Sequence, residues 1–336
     1  MTRSDILDRP RSDILDAAVP LDAAAPLDKR DPVIQADGLT RYFGGKCAVD
    51  ALSLSVPRGS VFGFIGRNGA GKTTTIRMLL GLLEPTRGSS TILGHDSMAL
   101  PPAARARIGY MAEGHPVYAW MLVRECAAFQ RGCHTRWNHD IFAAVIDNFS
   151  INPSTKAGHL SHGQRAGLHL AMTLATEPEL LVLDDPATGL DPAARRSLLE
   201  AMIYFTRSRN RTIFFSSHLL DEVERVADHV AVLDYSVLRA CCSVETFRDR
   251  VRRLVVRLPQ EGTRNGRNHL SAIPGLLRVV RSEDELSLIV ANPGSHTHRA
   301  LESLGAEMVA EQPISLEDAL IAYVGRQGEK SFFLNA

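Results

Sequence analysis

Gly66-Arg67-Asn68-Gly69-Ala70-Gly71-Lys72-Thr73 fits the pattern G-x-x-x-x-G-K-[ST]. Val61-Phe62-Gly63-Phe64-Ile65 before it reads as a buried strand, and Thr74 to Leu83 after it reads as a helix with Ile76, Leu79, Leu80 and Leu83 on one face. Such a strand–loop–helix order turns backbone N–H groups inward around a phosphate, and the helix start adds free donors and the positive end of its dipole. Lys72 is then placed to reach the β- and γ-phosphates, and the Thr73 hydroxyl to ligate Mg²⁺. The alternative, a chance glycine-rich turn, is weakened by composition. The chain has five lysines among 38 basic residues, and one of them stands at position 72, where a compact ammonium fits and a planar fork does not. These residues imply a nucleoside triphosphate site.

The rest of the composition is that of a globular chain. Its 336 residues suffice for one large and one smaller domain, with 45% hydrophobic and 23% charged residues. A formal net charge of zero provides no global field for nucleic acid. No apolar run approaches the ~18 residues of a membrane span, and the N-terminus lacks the apolar core of a signal peptide. Five cysteines, an odd number, suggest a reducing compartment rather than a disulfide framework. Cys126, Cys133, His134 and His139 match no zinc spacing and are expected to be ordinary helix and loop residues, and the Cys241-Cys242 pair is expected in a strand near the core. These features together suggest a soluble cytosolic chain.

Residues 1–32 read as a disordered leader: Arg-Ser-Asp-Ile-Leu-Asp occurs at 3–8 and again at 11–16, in an Ala/Pro/Asp-rich context that buries little apolar surface. From 33 to 247, strands expected at 61–65, 180–184, 212–216 and 230–234 alternate with helices at 71–83, 164–176, 192–207 and 219–227. That alternation indicates an α/β domain with a central, largely parallel sheet. A strand-free helical stretch suggests an inserted helical subdomain over about 114–160. Residues 248–336 are expected to form a small α+β domain. Its strands are expected near 254–258, 286–290 and 307–311 and its helices near 297–304 and 316–323, after a polar linker from Pro259 to Asn268.

Further motifs narrow the reading. Leu180-Leu181-Val182-Leu183-Asp184-Asp185 is a buried strand ending in two carboxylates. Leu160-Ser161-His162-Gly163-Gln164 opens a helix upstream, and Gly189-Leu190-Asp191 and Ser216-Ser217-His218 follow downstream. In this order and spacing, from about Leu39 to Phe247, the chain resembles the nucleotide-binding subunits of ATP-binding cassette (ABC) transporters. A dinucleotide-binding fold is excluded because Lys72-Thr73 follows the glycines and no ribose-binding acid is evident.

The resemblance implies a P-loop cassette that binds ATP with Mg²⁺. Phe43, next to Tyr42, would stack on adenine. Gly66 to Thr73, with Thr74 behind them, would hold the phosphates. Thr73 and Asp184 would hold the metal, with Glu113 where the family usually has a glutamine. Ser161, Gly163 and Gln164 would form the signature that caps the γ-phosphate of a second subunit. Asp191 would be the D-loop residue and His218 the switch histidine, while His159 and His169 are expected on surfaces or helix faces.

Three positions depart from the family pattern. Asp185 replaces the usual glutamate base and is shorter by one C–C bond, ~1.5 Å; a misplaced general base costs on the order of 10²–10⁴ in rate. Glu113 brings a carboxylate where an amide is usual, and His162 replaces a glycine. Family variation around a working site accounts for Glu113 and His162. For Asp185 two readings stay open, a slowed but competent ATPase and an ATP-driven clamp with little turnover.

The expected function is the ATP-hydrolysing subunit of an ABC transporter, peripheral on the inner face of the membrane. It would dimerise around ATP and work with a separate membrane subunit. Ile314-Ser315-Leu316-Glu317-Asp318-Ala319-Leu320 resembles the tail of cassettes paired with ABC-2-type membrane subunits, which points to export. The rivals are a non-transport cassette ATPase and a regulatory ATP-binding module. The absence of a second cassette, a heptad array or a basic patch places the non-transport ATPase well below transport; Asp185 lends the regulatory module more weight.

Overall fold

The computed structural model describes residues 32–206, 211–257, 270, 273–282, 285–315, 318–319 and 321–322. The expected leader up to residue 31, the linker 259–268 and residues 316, 317 and 320 of the tail motif lie outside the described residues. By the compactness of its contacts the chain divides into two units, one running to Val244 and the other from Glu245.

The first unit opens with an antiparallel hairpin, β1 (Ile34–Phe43) and β2 (Lys46–Val56), closed by Gly44-Gly45. β3 (Val61–Gly66) is buried along its whole length and leads through the glycine-rich loop into α1 (Lys72–Leu79). β4 (Arg87–Ile92) and the short β5 (His95–Asp96) return to the hairpin, giving a four-stranded antiparallel sheet in the order β2-β1-β4-β5. α2 (Pro102–Arg105) precedes β6 (Ile108–Met111), and α3 (Val123–Cys133) and α4 (His139–Asn148) occupy the strand-free stretch.

α5 (His162–Ala175), β7 (Leu180–Leu183), α6 (Pro192–Thr206), β8 (Thr212–Ser217), α7 (Leu220–Val226), β9 (His229–Asp234) and β10 (Val237–Ser243) follow. The central sheet runs β10-β9-β3-β8-β7-β6, parallel from β9 to β6, with β10 antiparallel at one edge. Residues of β3, β7 and β8 are buried on both faces, which is why these strands read as continuous apolar runs. Phe62 and Phe64 pack on Phe214 at ring-centroid distances of 5.6 and 5.5 Å, tying β3 to β8. Parallel packing puts the carboxyl ends of β3, β7 and β8 side by side, where ligands bind in open α/β sheets.

The second unit begins in α8 (Val244–Arg250). β11 (Val251–Arg257), β12 (Leu276–Ser282), β13 (Glu285–Ala291) and β14 (Glu307–Pro313) form an antiparallel sheet ordered β12-β13-β11-β14. α9 (Ser295–Ser303) sets Leu301 against Leu254, Val256, Leu288 and Val290.

Several expectations need correction. The helix after the glycine-rich loop ends at Leu79 rather than Leu83, because the chain turns at Gly81 with φ +67°, where an added Cβ would come within 2.0 Å of the Ser97 carbonyl. The antiparallel sheet of β1, β2, β4 and β5 was not anticipated, nor was β12. The expected strand at 254–258 starts earlier, at Val251.

Candidate active site

The phosphate loop is shaped by its sequence. Gly71 has φ +109°, and a Cβ there would lie 2.3 Å from the Ala48 carbonyl, so only glycine fits between the loop and β2. Lys72, 7% exposed, folds back so that Nζ donates to the Gly66 carbonyl at 2.8 Å. Burial lowers its pKa, opposed by the carboxylates of Asp185, Asp184 and Glu113. The ammonium is thus held at the head of the loop, ringed by carboxylates.

Asp184 follows β7 and is 1% exposed. Its Oδ1 accepts from the Thr73 hydroxyl at 3.1 Å and the Ser216 hydroxyl at 2.9 Å, whereas Oδ2 is buried without a partner. Burial raises its pKa, and the two hydroxyl donors pull the other way. A buried carboxylate oxygen left unpaired beside a threonine hydroxyl is the oxygen donor set a hard divalent cation takes.

Asp185 is held differently. Its backbone has φ +47°, a left-handed conformation that Asp tolerates better than longer side chains. Its N–H donates to Ser216 Oγ at 2.8 Å, and its carboxylate oxygens lie 3.1 and 2.9 Å from His218 Nδ1. Ser216 therefore joins the Asp184 carboxylate and the Asp185 backbone to β8. It stands two residues before His218 in the sequence, but a serine in a strand carries no sequence signal for this role.

Lys72, Thr73 and Asp185 border a cleft of about 350 Å³ whose other lining residues are Phe43, Lys46, Ala48, Asn68, Gly69, Gly71, Thr74 and Glu113, whereas Asp184, Ser216 and His218 stand outside its lining. Phe43, rather than Tyr42, faces it. Gly66 ends β3, and neither it nor Arg67 nor Ala70 borders the opening. Lys46 is an addition that sequence reasoning missed.

Ser161, Gly163, Gln164 and Asp191 do not line this cleft. Ser161 caps α5: its hydroxyl accepts from Gln164 N–H at 3.1 Å, and Gln164 Oε1 accepts from Ser161 N–H at 3.2 Å, a capping box. Asp191 Oδ1 accepts from the N–H groups of Ala193 and Ala194, both at 2.9 Å, at the start of α6. His162 is the first residue of α5 and has no positive φ, so the backbone accommodates histidine in place of glycine.

Two further histidines lie on or beside α5, and His115 was not singled out from the sequence. His169 lies on a face of α5 and is half-buried: it lines a cavity between β6, α3 and α5, its Nδ1 is buried without a partner, and burial lowers its pKa to about 4. His115 is fully buried with both ring nitrogens unpartnered, 5.7 Å from the His162 ring and nearly perpendicular to it. Burial and the nearby His169 lower its pKa to about 4, so it is held as a neutral ring.

Comparison with known proteins agrees with this geometry. The family described as ABC transporter matches residues 49–188. The Nod factor export ATP-binding protein I of Rhizobium sp. (strain N33) is 33% identical over 88% of this chain and 98% of its own length. The bacitracin transport ATP-binding protein BcrA of Bacillus licheniformis is 37% identical over 60% of this chain, which spans 66% of that relative. The daunorubicin/doxorubicin resistance ATP-binding protein DrrA of Streptomyces peucetius is 33% identical over 60% of this chain and 62% of its own length. A solved ATP-binding subunit of an ABC transporter superposes with a TM-score of 0.59 at 26% identity, covering 65% of this chain and 92% of that one. An ATP-binding cassette solved as a dimer with ADP and Pi shares the fold, with a TM-score of 0.56 at 16% identity over 63% of this chain and 98% of that one. The phosphate loop, the paired carboxylates after β7 and these relatives lead to one conclusion: the chain belongs to the family of ABC transporter ATP-binding proteins, the ATPase cassettes that power transport.

Proposed function

We propose that this chain binds and hydrolyses MgATP as the cassette subunit of an exporter, closing on ATP as a pair with a second copy of itself. The observation that carries this reading is the Thr73–Asp184–Ser216 linkage with its unpaired Asp184 Oδ2. Thr73 and Asp184 would hold Mg²⁺, with Glu113 at the cleft mouth. When bound, the cation neutralises phosphate charge. Lys72 would hold the β- and γ-phosphates, and Asp185 would accept the proton of the attacking water while His218 orients it. Phe43 would stack on adenine. Ser161, Gly163 and Gln164, at a helix N-terminus away from this chain's own cleft, would meet the γ-phosphate of the second copy, with Asp191 at the joint. The cassette would comprise residues 33–247 and the smaller domain 248–336.

The relatives named for bacitracin transport, Nod factor export and drug resistance support export with a separate membrane subunit of ABC-2 type. Among the described residues no helix is long and apolar enough to cross a membrane. Tyr118, Trp120 and Phe129 are 52%, 70% and 48% exposed, and Tyr118 packs against both others at 6.3 and 5.6 Å. Such an aromatic patch is suited to a protein partner and supports docking of the membrane subunit there, at the inner face of the membrane.

A second reading rests on Asp185. With both carboxylate oxygens within hydrogen-bond distance of His218, turnover requires loosening that contact, and the chain would act as a slow ATP-driven clamp. Steady-state ATPase rates with the membrane subunit present separate the two. For the ATPase, Asp185→Asn lowers kcat by about 10²–10⁴ and traps an ATP-bound dimer. A wild-type rate equal to that of Asp185→Asn would leave only the clamp.

A further inference from the structure

Arg41 and Phe43 are two residues apart on β1, on either side of a register shift between Arg41 and Tyr42. The Arg41 guanidinium carbon lies over the Phe43 ring, 4.8 Å from its centroid, within the range where a cation is attracted to the negative face of an aromatic ring. The guanidinium is fixed from its other end, because Nη1 donates to the Glu84 carbonyl at 2.8 Å. Arg41 Nε is buried without an acceptor, and among the described residues no carboxylate pairs with this side chain. The aromatic ring is therefore its electrostatic partner. Phe43 borders the phosphate-loop cleft and is 49% exposed, whereas Arg41 is not among the residues that line the cleft.

We propose that Arg41 is a positioning residue for the base of the nucleotide: it braces the Phe43 ring from behind and leaves the cleft-side face to the adenine. The proposal rests on the reading of Phe43 as the adenine platform. Two physical effects support it. An exposed phenylalanine beside a glycine turn loses side-chain freedom when a ligand stacks on it, and a ring already held by a cation has less to lose. A cation on one face also draws π density toward itself, and the opposite face then repels an electron-rich purine less. The tether to Glu84 adds a third element. Glu84 lies beyond the end of α1, past the turn at Gly81, so the same side chain ties the base platform to the segment that follows the phosphate-loop helix.

The test is calorimetric binding of MgATP and of magnesium tripolyphosphate, which has no base, to the full chain and its Arg41→Gln, Arg41→Lys and Phe43→Ala variants. Gln keeps an N–H donor for Glu84 but removes the charge. We expect Arg41→Gln to weaken MgATP about three- to tenfold with tripolyphosphate changed less than about twofold, and Arg41→Lys to recover most of the loss. ATP affinity unchanged in Arg41→Gln, alongside a loss in Phe43→Ala, overturns the brace alone. Equal losses for both ligands in Arg41→Gln also overturn it, since that pattern marks a damaged hairpin. ATP affinity unchanged in Phe43→Ala removes the platform reading and the brace with it.

Discussion

The two ends of the central sheet treat charge in opposite ways. At the carboxyl ends of β3, β7 and β8, Asp184 keeps an oxygen unpaired, Asp185 sits at φ +47° and Lys72 is buried. At the amino ends, charges are paired. Glu179, just before β7, accepts from Arg58 on one oxygen and from Arg107 on the other, with Arg107 Nε at 2.9 Å, and Arg211 meets Glu177 at 3.3 Å. Burial pushes the Glu179 pKa up, but its arginine partners outweigh this and hold it below the usual carboxylate range. One sheet thus has an end whose charges pair with one another and an end where Asp184 keeps a buried carboxylate oxygen without a partner. Unsatisfied buried groups and strained backbone persist where function requires them, and the contrast marks the functional end without reference to any relative.

The largest effect is expected at the unpaired end. Asp184→Asn removes half the anionic character of the cation site, and ATP hydrolysis should fall by about 10²–10⁴; hydrolysis within tenfold of wild type would break the assignment of Asp184. Ser216→Ala sharpens the same point. It frees Asp184 Oδ1 and the Asp185 N–H from their shared partner, and kcat should fall more than ATP affinity, by about tenfold, because the carboxylates lose their spacing while the phosphate loop stays intact.

A smaller effect lies beside the sheet edge at β6. His169 is neutral in the fold because burial lowers its pKa to about 4, while the unfolded chain takes up the proton near pH 6.5. Between these values the unfolded state binds more protons, so this stabilising contribution is complete above about pH 6.5 and declines as pH falls toward 4. The melting temperature of wild type should therefore drop by about 2–6 °C more than that of His169→Gln between pH 7 and pH 5. Parallel curves for the two proteins would show that His169 is solvated.

How much of this was legible in the sequence follows the same physics. β3 and β7 were readable because strands buried on both faces are unbroken apolar runs, and the phosphate loop because its glycines and Lys72 have fixed spacing. The antiparallel sheet was not. β1 contains Asp37-Gly38, which reads as a turn, and the strand absorbs it as a register shift between Ala36 and Leu39. β4 begins Arg87-Gly88-Ser89-Ser90 and offers almost no apolar pattern. Candidate site residues were identified from motifs, but their alliances depend on tertiary neighbours. Ser216 gains its role only because β8 lies beside β7, and His115 is enclosed by a helix nearly fifty residues downstream. His169 was expected on a surface or helix face and lies on α5, but nothing local shows that its ring borders a cavity shared with α3.

The central claim is that the two ends of this sheet separate ligand binding from stability. Its most direct test measures MgATP affinity and unfolding free energy in parallel for Lys72→Ala and Glu179→Ala. Lys72→Ala should abolish measurable ATP binding while changing stability by less than about 1 kcal/mol, since it removes a buried ammonium that burial disfavours. Glu179→Ala should lose about 1–3 kcal/mol of stability, because Arg58 and Arg107 are left facing each other without their carboxylate, and should bind MgATP within twofold of wild type. ATP binding retained by Lys72→Ala, or lost by a folded Glu179→Ala, would contradict the account.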